Sequence, residues 1–193
     1  MATLSVGGTT VFDGATLQSG AVLTSATFPP GHVLQVVSFE TTDAGSANPN
    51  NSNVFLSPSI LMAITPKATG SNILIQFNWG GEINSTNLVF NIVKNTSTLT
   101  TGSARVNALG TDRWMGLTAA MISHASDFDS TPQTASICTM DKAGTTKDTL
   151  INYGVTVTST ANVTIFTNRV SGNTGENSYE RLASSIILTE IAG

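Results

Sequence analysis

The sequence predicts an all-β protein, an antiparallel sandwich or barrel behind an N-terminal arm, and three observations carry that prediction. Apolar residues recur with period two rather than 3.6 along most of the chain after residue 31. The alternating segments are separated by clusters of Asn, Gly, Ser, Thr and Pro at intervals of roughly 10 to 15 residues, the spacing of strands joined by turns. Helical signals are poor: the best segment, Leu117 to His124, is short and lacks a capping box, and its Ala119-Ala120 pair equally suits a strand approached closely by a neighbour.

Residues 1–31 read as an extended arm. Val6-Gly7-Gly8, Asp13-Gly14 and Ser19-Gly20 break it into short pieces with few large side chains, and Phe28-Pro29-Pro30-Gly31 closes it, because proline cannot sit inside a central strand. Residues 32–193 form the second unit, the sandwich. Its first strand is His32 to Glu40, apolar on both faces at its start. Residues 43–53 form a polar loop, longer than the usual connection in a compact domain. Asn72 to Trp79 is the clearest strand: Ile73, Ile75, Phe77 and Trp79 fall on one face, Gln76 and Asn78 on the other. Leu88 to Asn95, Trp114 to His124, Thr134 to Met140, Leu150 to Thr158, Val163 to Asn168 and Ser184 to Ile191 repeat the pattern.

Composition narrows the function classes. A chain of 193 residues is one domain, or one domain with an arm, and closes a core without disulfides or a structural metal. Cys138 is the single cysteine, which rules out an intrachain disulfide and a cysteine-based zinc site. Eight Lys and Arg against twelve Asp and Glu give a net charge of −4, the wrong electrostatics for a phosphate backbone, so no nucleic acid is expected. The N-terminal residues carry neither a basic run nor a long apolar stretch, and no segment has the roughly 18 apolar residues of a membrane span. The expectation is a soluble protein made in a cytoplasm, with no membrane partner. Charged residues make up only 10%, against about 25% in ordinary domains. Hydration falls instead to 30 Thr, 21 Ser and 16 Asn. A surface so weakly polar points to burial against other subunits.

Candidate chemistry is sparse. His32 and His124 sit in no nucleophile-base motif and read as ordinary structural or surface histidines. Asp127-Phe128-Asp129-Ser130 has paired oxygens but lacks the later Gly and Glu of a calcium loop, so a solvated loop is the better reading. Gly7-Gly8 and Gly80-Gly81 lack the surroundings of a phosphate cradle. The sequons at Asn50, Asn84, Asn95 and Asn162 match the number expected by chance from the composition. Trp79 lies on the apolar face of its strand and reads as core, whereas Trp114, beside Arg113, is the more open candidate for stacking on a sugar. The sequence therefore offers no catalytic, cofactor-binding or metal-binding residue, and no enzymatic activity is expected.

Three segments resemble a known group. Ile64-Thr65-Pro66-Lys67-Ala68-Thr69-Gly70-Ser71-Asn72-Ile73-Leu74-Ile75 resembles a turn-to-strand element of structural proteins from tailed bacteriophages, especially those of marine and cyanobacterial hosts. Arg181 to Gly193, ending Glu190-Ile191-Ala192-Gly193, resembles their closing strand, and Gly31 to Val37 resembles their opening strand. The resemblance implies a jelly-roll β-sandwich like the tumour-necrosis-factor and C1q heads, assembled as a trimer on the virion. About 31 residues ahead of the sandwich leave no room for a tail-fibre anchor and shaft. The expectation is thus a capsid decoration protein or short head fibre that contacts the major capsid protein or another virion protein. The alternative is a tail-fibre component that recognises a host surface glycan.

Overall fold

The computed structural model describes residues 3–6, 9–13, 16–17, 29–84, 87–107, 116–119, 130–142, 144–172 and 180–193. Among the described residues every element is a strand, fourteen in all, and every strand pair is antiparallel.

Near the start of the sequence, β1 (Thr3–Val6), β2 (Thr9–Asp13) and β3 (Thr16–Leu17) form a three-stranded sheet in chain order. The sandwich follows: β4 (Val33–Thr41), β5 (Gly45–Ala47), β6 (Asn53–Phe55), β7 (Leu61–Ile64), β8 (Asn72–Ile83), β9 (Leu88–Asn95), β10 (Ala104–Arg105), β11 (Gln133–Asp141), β12 (Ile151–Ser159), β13 (Ile165–Thr167) and β14 (Ser184–Ile191). One sheet runs β4-β14-β8-β13-β5, with β11 on β8. The other runs β10-β9-β12-β6, with β7 also on β12.

The two sheets bury their facing sides against each other, as amphipathic sheets must. Ile73, Ile75, Phe77 and Trp79 of β8 are at most 1% exposed, whereas Gln76 and Asn78 face solvent, so the alternation of this strand holds residue by residue. Ile186 and Leu188 extend the same layer, and Phe90, Ile92, Tyr153, Val155 and Val157 supply the opposite one. The Phe90 ring sits 6.0 Å from Phe77 and 5.4 Å from Trp79, both tilted, which knits the layers through aromatic edges. The Trp79 indole N–H donates to the Thr167 hydroxyl at 3.3 Å, so its one polar atom is satisfied inside the core.

Three expectations need correction. The loop at 43–53 contains β5, which pairs with β13, and Asn50 bridges to Ser159. The edge strands β7 and β10 have no counterpart in the sequence reading. Of the segment Trp114 to His124, residues 116–119 are described: Thr118 bridges Phe90, Leu117 N–H donates to the Phe90 carbonyl, and the remainder lies outside the described residues.

Candidate functional site

Register places two kinds of surface on the six-stranded sheet. Toward the core, one row reads Phe39-Ile186-Phe77-Ile137 across β4, β14, β8 and β11, and the next reads Val37-Leu188-Ile75-Thr139. The alternate positions form the outer face: Val36-Thr189-Leu74-Met140, then Ser38-Ile187-Gln76-Cys138, then Glu40-Ser185-Asn78-Ser136. Glu40 is the one charged residue of those twelve. Val36 is 56% exposed, Cys138 is exposed, and Leu74, Met140, Thr189 and Ile187 are half-buried. Ser136 donates to Asn78 at 2.8 Å, tying neighbouring strands within the face. Four strands thus present a surface of aliphatic side chains, hydroxyls and amides with almost no charge.

The third inward row is different. It reads Gln35-Glu190-Ile73-Asp141, and it puts two buried carboxylates at the end of the core. Each is stabilised in its own way. Asp141 meets the facing sheet, where cross-strand partners Lys94 and Tyr153 grip it together. The Lys94 ammonium lies 2.8 and 2.6 Å from its two oxygens, and the Tyr153 hydroxyl donates to Oδ2 at 2.8 Å. Burial, then the charge of Asp141 and its hydrogen bond, push the Tyr153 phenol far up, so it stays a donor.

Glu190 has no cation. The Lys67 backbone N–H lies 2.9 Å from both of its oxygens, and Ala68 N–H donates to Oε1 at 3.1 Å. The Ser71 hydroxyl donates to Oε1 at 2.7 Å, and the Gln35 amide to Oε2 at 2.6 Å. Burial alone would raise the pKa, but these donors together outweigh it and hold the carboxyl below its usual range. Gln35 also donates to the Thr65 carbonyl at 2.7 Å, and Ser71 bonds Thr145 at 2.6 Å. Beyond Glu190, Gly31 N–H donates to the Ala192 carbonyl, Ala192 N–H donates to the His32 carbonyl, and a side chain on Gly193 would collide with the Gly70 carbonyl oxygen.

All three segments singled out in the sequence therefore converge on one carboxylate: the opening strand through Gln35, the Ile64–Ile75 element through its turn, and the closing strand through Glu190 itself. Sequence reasoning missed this centre. The available signal was the inward parity of Ser184, Ile186, Leu188 and Glu190, which commits an acid to the core.

The other candidate residues are scattered. His32 is exposed at the start of β4, Trp79 is core, and Cys138 lies on the outer face. His124, Trp114 and Asp127 to Asp129 lie outside the described residues. Asn84 and Asn162 are exposed, each bonded to a segment distant in sequence: the Asn84 carbonyl oxygen accepts from Thr164 N–H at 3.0 Å, and that of Asn162 accepts from the Asn48 amide at 2.9 Å. No family model matches this chain, and a search of curated proteins found no match either.

Proposed function

We propose that this chain is a non-enzymatic virion surface protein of a tailed bacteriophage, a trimeric jelly roll that decorates the capsid or forms a short head fibre and adds contacts to the shell. The observation that carries the reading is the outer face of the six-stranded sheet. A nearly uncharged surface of four paired strands with Val36, Leu74, Met140 and Ile187 in reach of a neighbour is costly to leave in water and suits closure into a symmetric oligomer. Strand order supports the finer architecture. First and last strands of the sandwich pair at β4-β14, β8 sits between β14 and β11, and β12 joins β9 to the short strands β6 and β7, as in a jelly roll of two interleaved Greek keys. The virion assignment rests on the three resembling segments, whose residues meet at Glu190 and so belong to one structural device.

The test uses the purified protein and its particle. Sedimentation should give three times the 20.0 kDa chain mass, and a stable monomer at micromolar concentration contradicts the reading. Particles carrying the protein should melt at a higher temperature than particles without it, because binding only to the closed shell stabilises that shell by linkage. Unchanged melting together with lost adsorption to host cells favours instead a tail-fibre or receptor-binding component.

A further inference from the structure

A pocket of about 320 Å³ lies where the end of β9 and β10 meet the loop that leads into β12. Its walls include Lys94, Thr96, Thr146 and Thr149, and its apolar lining comes from Ala104 and Ile151. The volume is at the lower end of the range of about 300 to 1,000 Å³ for small-ligand sites. Of the polar lining side chains, these four do not spend their full capacity on protein. Lys94 has three N–H donors, of which Asp141 takes two, and the hydroxyls of Thr96, Thr146 and Thr149 have no partner among the described residues.

We propose that this pocket is a binding site for a neutral sugar unit, a pyranose ring held by hydroxyl-to-hydroxyl and hydroxyl-to-ammonium hydrogen bonds over a small aliphatic floor. Charge decides against an anion. Among the described residues Lys94 is the one cation lining the pocket, and Asp141 already neutralises it, so to gain a full ion pair a phosphate or carboxylate would have to displace a carboxylate that Tyr153 and its own strand hold in place. A neutral polyol requires no such exchange. It needs mixed donors and acceptors at short spacing, which three hydroxyls and one fixed ammonium provide, and C–H groups on the ring that can lie against Ala104 and Ile151. The Lys94 side chain lines the pocket and is 24% exposed, and the Asp141-Tyr153 pair fixes its position in advance. Affinity follows from size: about a dozen heavy atoms at about 0.3 kcal/mol each place the dissociation constant in the millimolar range. The inference stands on the pocket alone and is independent of the virion assignment.

The experiment is saturation-transfer NMR on the whole chain with methyl α-glucoside, methyl α-mannoside, methyl β-galactoside and N-acetylglucosamine, alongside sialic acid and inorganic phosphate. At least one neutral sugar should bind saturably. Thr146→Val and Thr149→Val, which delete a hydroxyl at nearly constant shape on exposed or half-buried positions, should each weaken it about five- to tenfold. Ser46→Ala, at an exposed position of β5 on the edge of the other sheet, should leave it unchanged. Three results overturn the proposal: no neutral sugar binds up to about ten times the expected constant, the anions bind and the neutral sugars do not, or a sugar binds equally well to both threonine variants.

Discussion

Replacing Glu190 with Gln tests whether the converging segments are held by a carboxylate or merely pass near one. The substitution keeps size and shape but turns one acceptor oxygen into an NH2 donor. The amide oxygen of the variant can keep the Oε1 partners, Ala68 N–H and the Ser71 hydroxyl. Its NH2 group then faces the Gln35 amide nitrogen, donor against donor, where the native distance is 2.6 Å. Flipping Gln35 does not help, because the same nitrogen donates to the Thr65 carbonyl and the flip would set oxygen against oxygen. One mismatched polar pair costs about 1 to 3 kcal/mol, and losing the charge from the remaining hydrogen bonds adds about 1 kcal/mol more. A loss of about 2 to 4 kcal/mol at neutral pH is expected, or a melting temperature lower by about 4 to 16 °C for a chain of this size.

The pH dependence supplies a second readout. The folded pKa of Glu190 lies below its unfolded value of 4.5, so its contribution is fully present above that value and is lost as pH falls through the folded pKa. The stability gap between wild type and variant, measured by urea denaturation, should be widest above pH 5 and should narrow in more acid solution. A loss under about 1 kcal/mol, or a gap that acid leaves unchanged, refutes the reasoning.

Other expectations follow from packing and register. Phe77→Ala empties a fully buried site between Phe90 and the β14 layer and should cost about 3 to 5 kcal/mol by urea denaturation, whereas Gln76→Ala on the outer face should change stability by about 0.5 kcal/mol or less. Ile187→Asp puts a charge in the centre of the outer face; sedimentation should show dissociation to monomers while the circular dichroism spectrum stays native. Gly81→Ala places a methyl against the Phe166 carbonyl oxygen and 2.7 Å from the Trp79 ring, so calorimetry should show a loss of about 2 kcal/mol or more.

The long strands were legible because one face of each is committed to the core. Along Ile73 to Trp79 of β8, Ile151 to Val157 of β12 and Ile186 to Leu188 of β14 the inward residues are aliphatic or aromatic at every second position, and a one-residue slip would have exposed them all. The short strands were not legible. β5 and β10 have two or three residues each and owe their conformation to β13 and β9 beside them, a tertiary effect that leaves no period in the sequence. β7 hides in a run from Leu56 to Ile64 that Pro58 interrupts, so its apolar residues carry no clear alternation. Glu190 stayed hidden for a further reason: two of its four donors are backbone N–H groups of Lys67 and Ala68, which any residue could supply and no motif records. Lys94 and Asp141, in turn, are distant in sequence and meet only because two sheets close on each other.

The pairing of β4 with β14 also sets a clock on synthesis. Val33 faces Ile191, and β14 separates β4 from β8, so the opening strand of the sandwich has no partner in its sheet until the closing strand has been made. At about 5 to 20 residues per second the ribosome needs on the order of 10 to 30 seconds to cover that interval. Throughout it, β4 offers Val33, Val36 and Phe39 and a row of open backbone groups to any passing strand. When β14 arrives, it must close a chain loop of about 150 residues, an entropy cost of about 4 to 5 kcal/mol, and the gain comes all at once as both edges and the Glu190 bonds form. Nascent chains of this protein should therefore complete the sandwich only once β14 has left the ribosome, and a cell making it in quantity has to shelter a half-built sheet in the meantime.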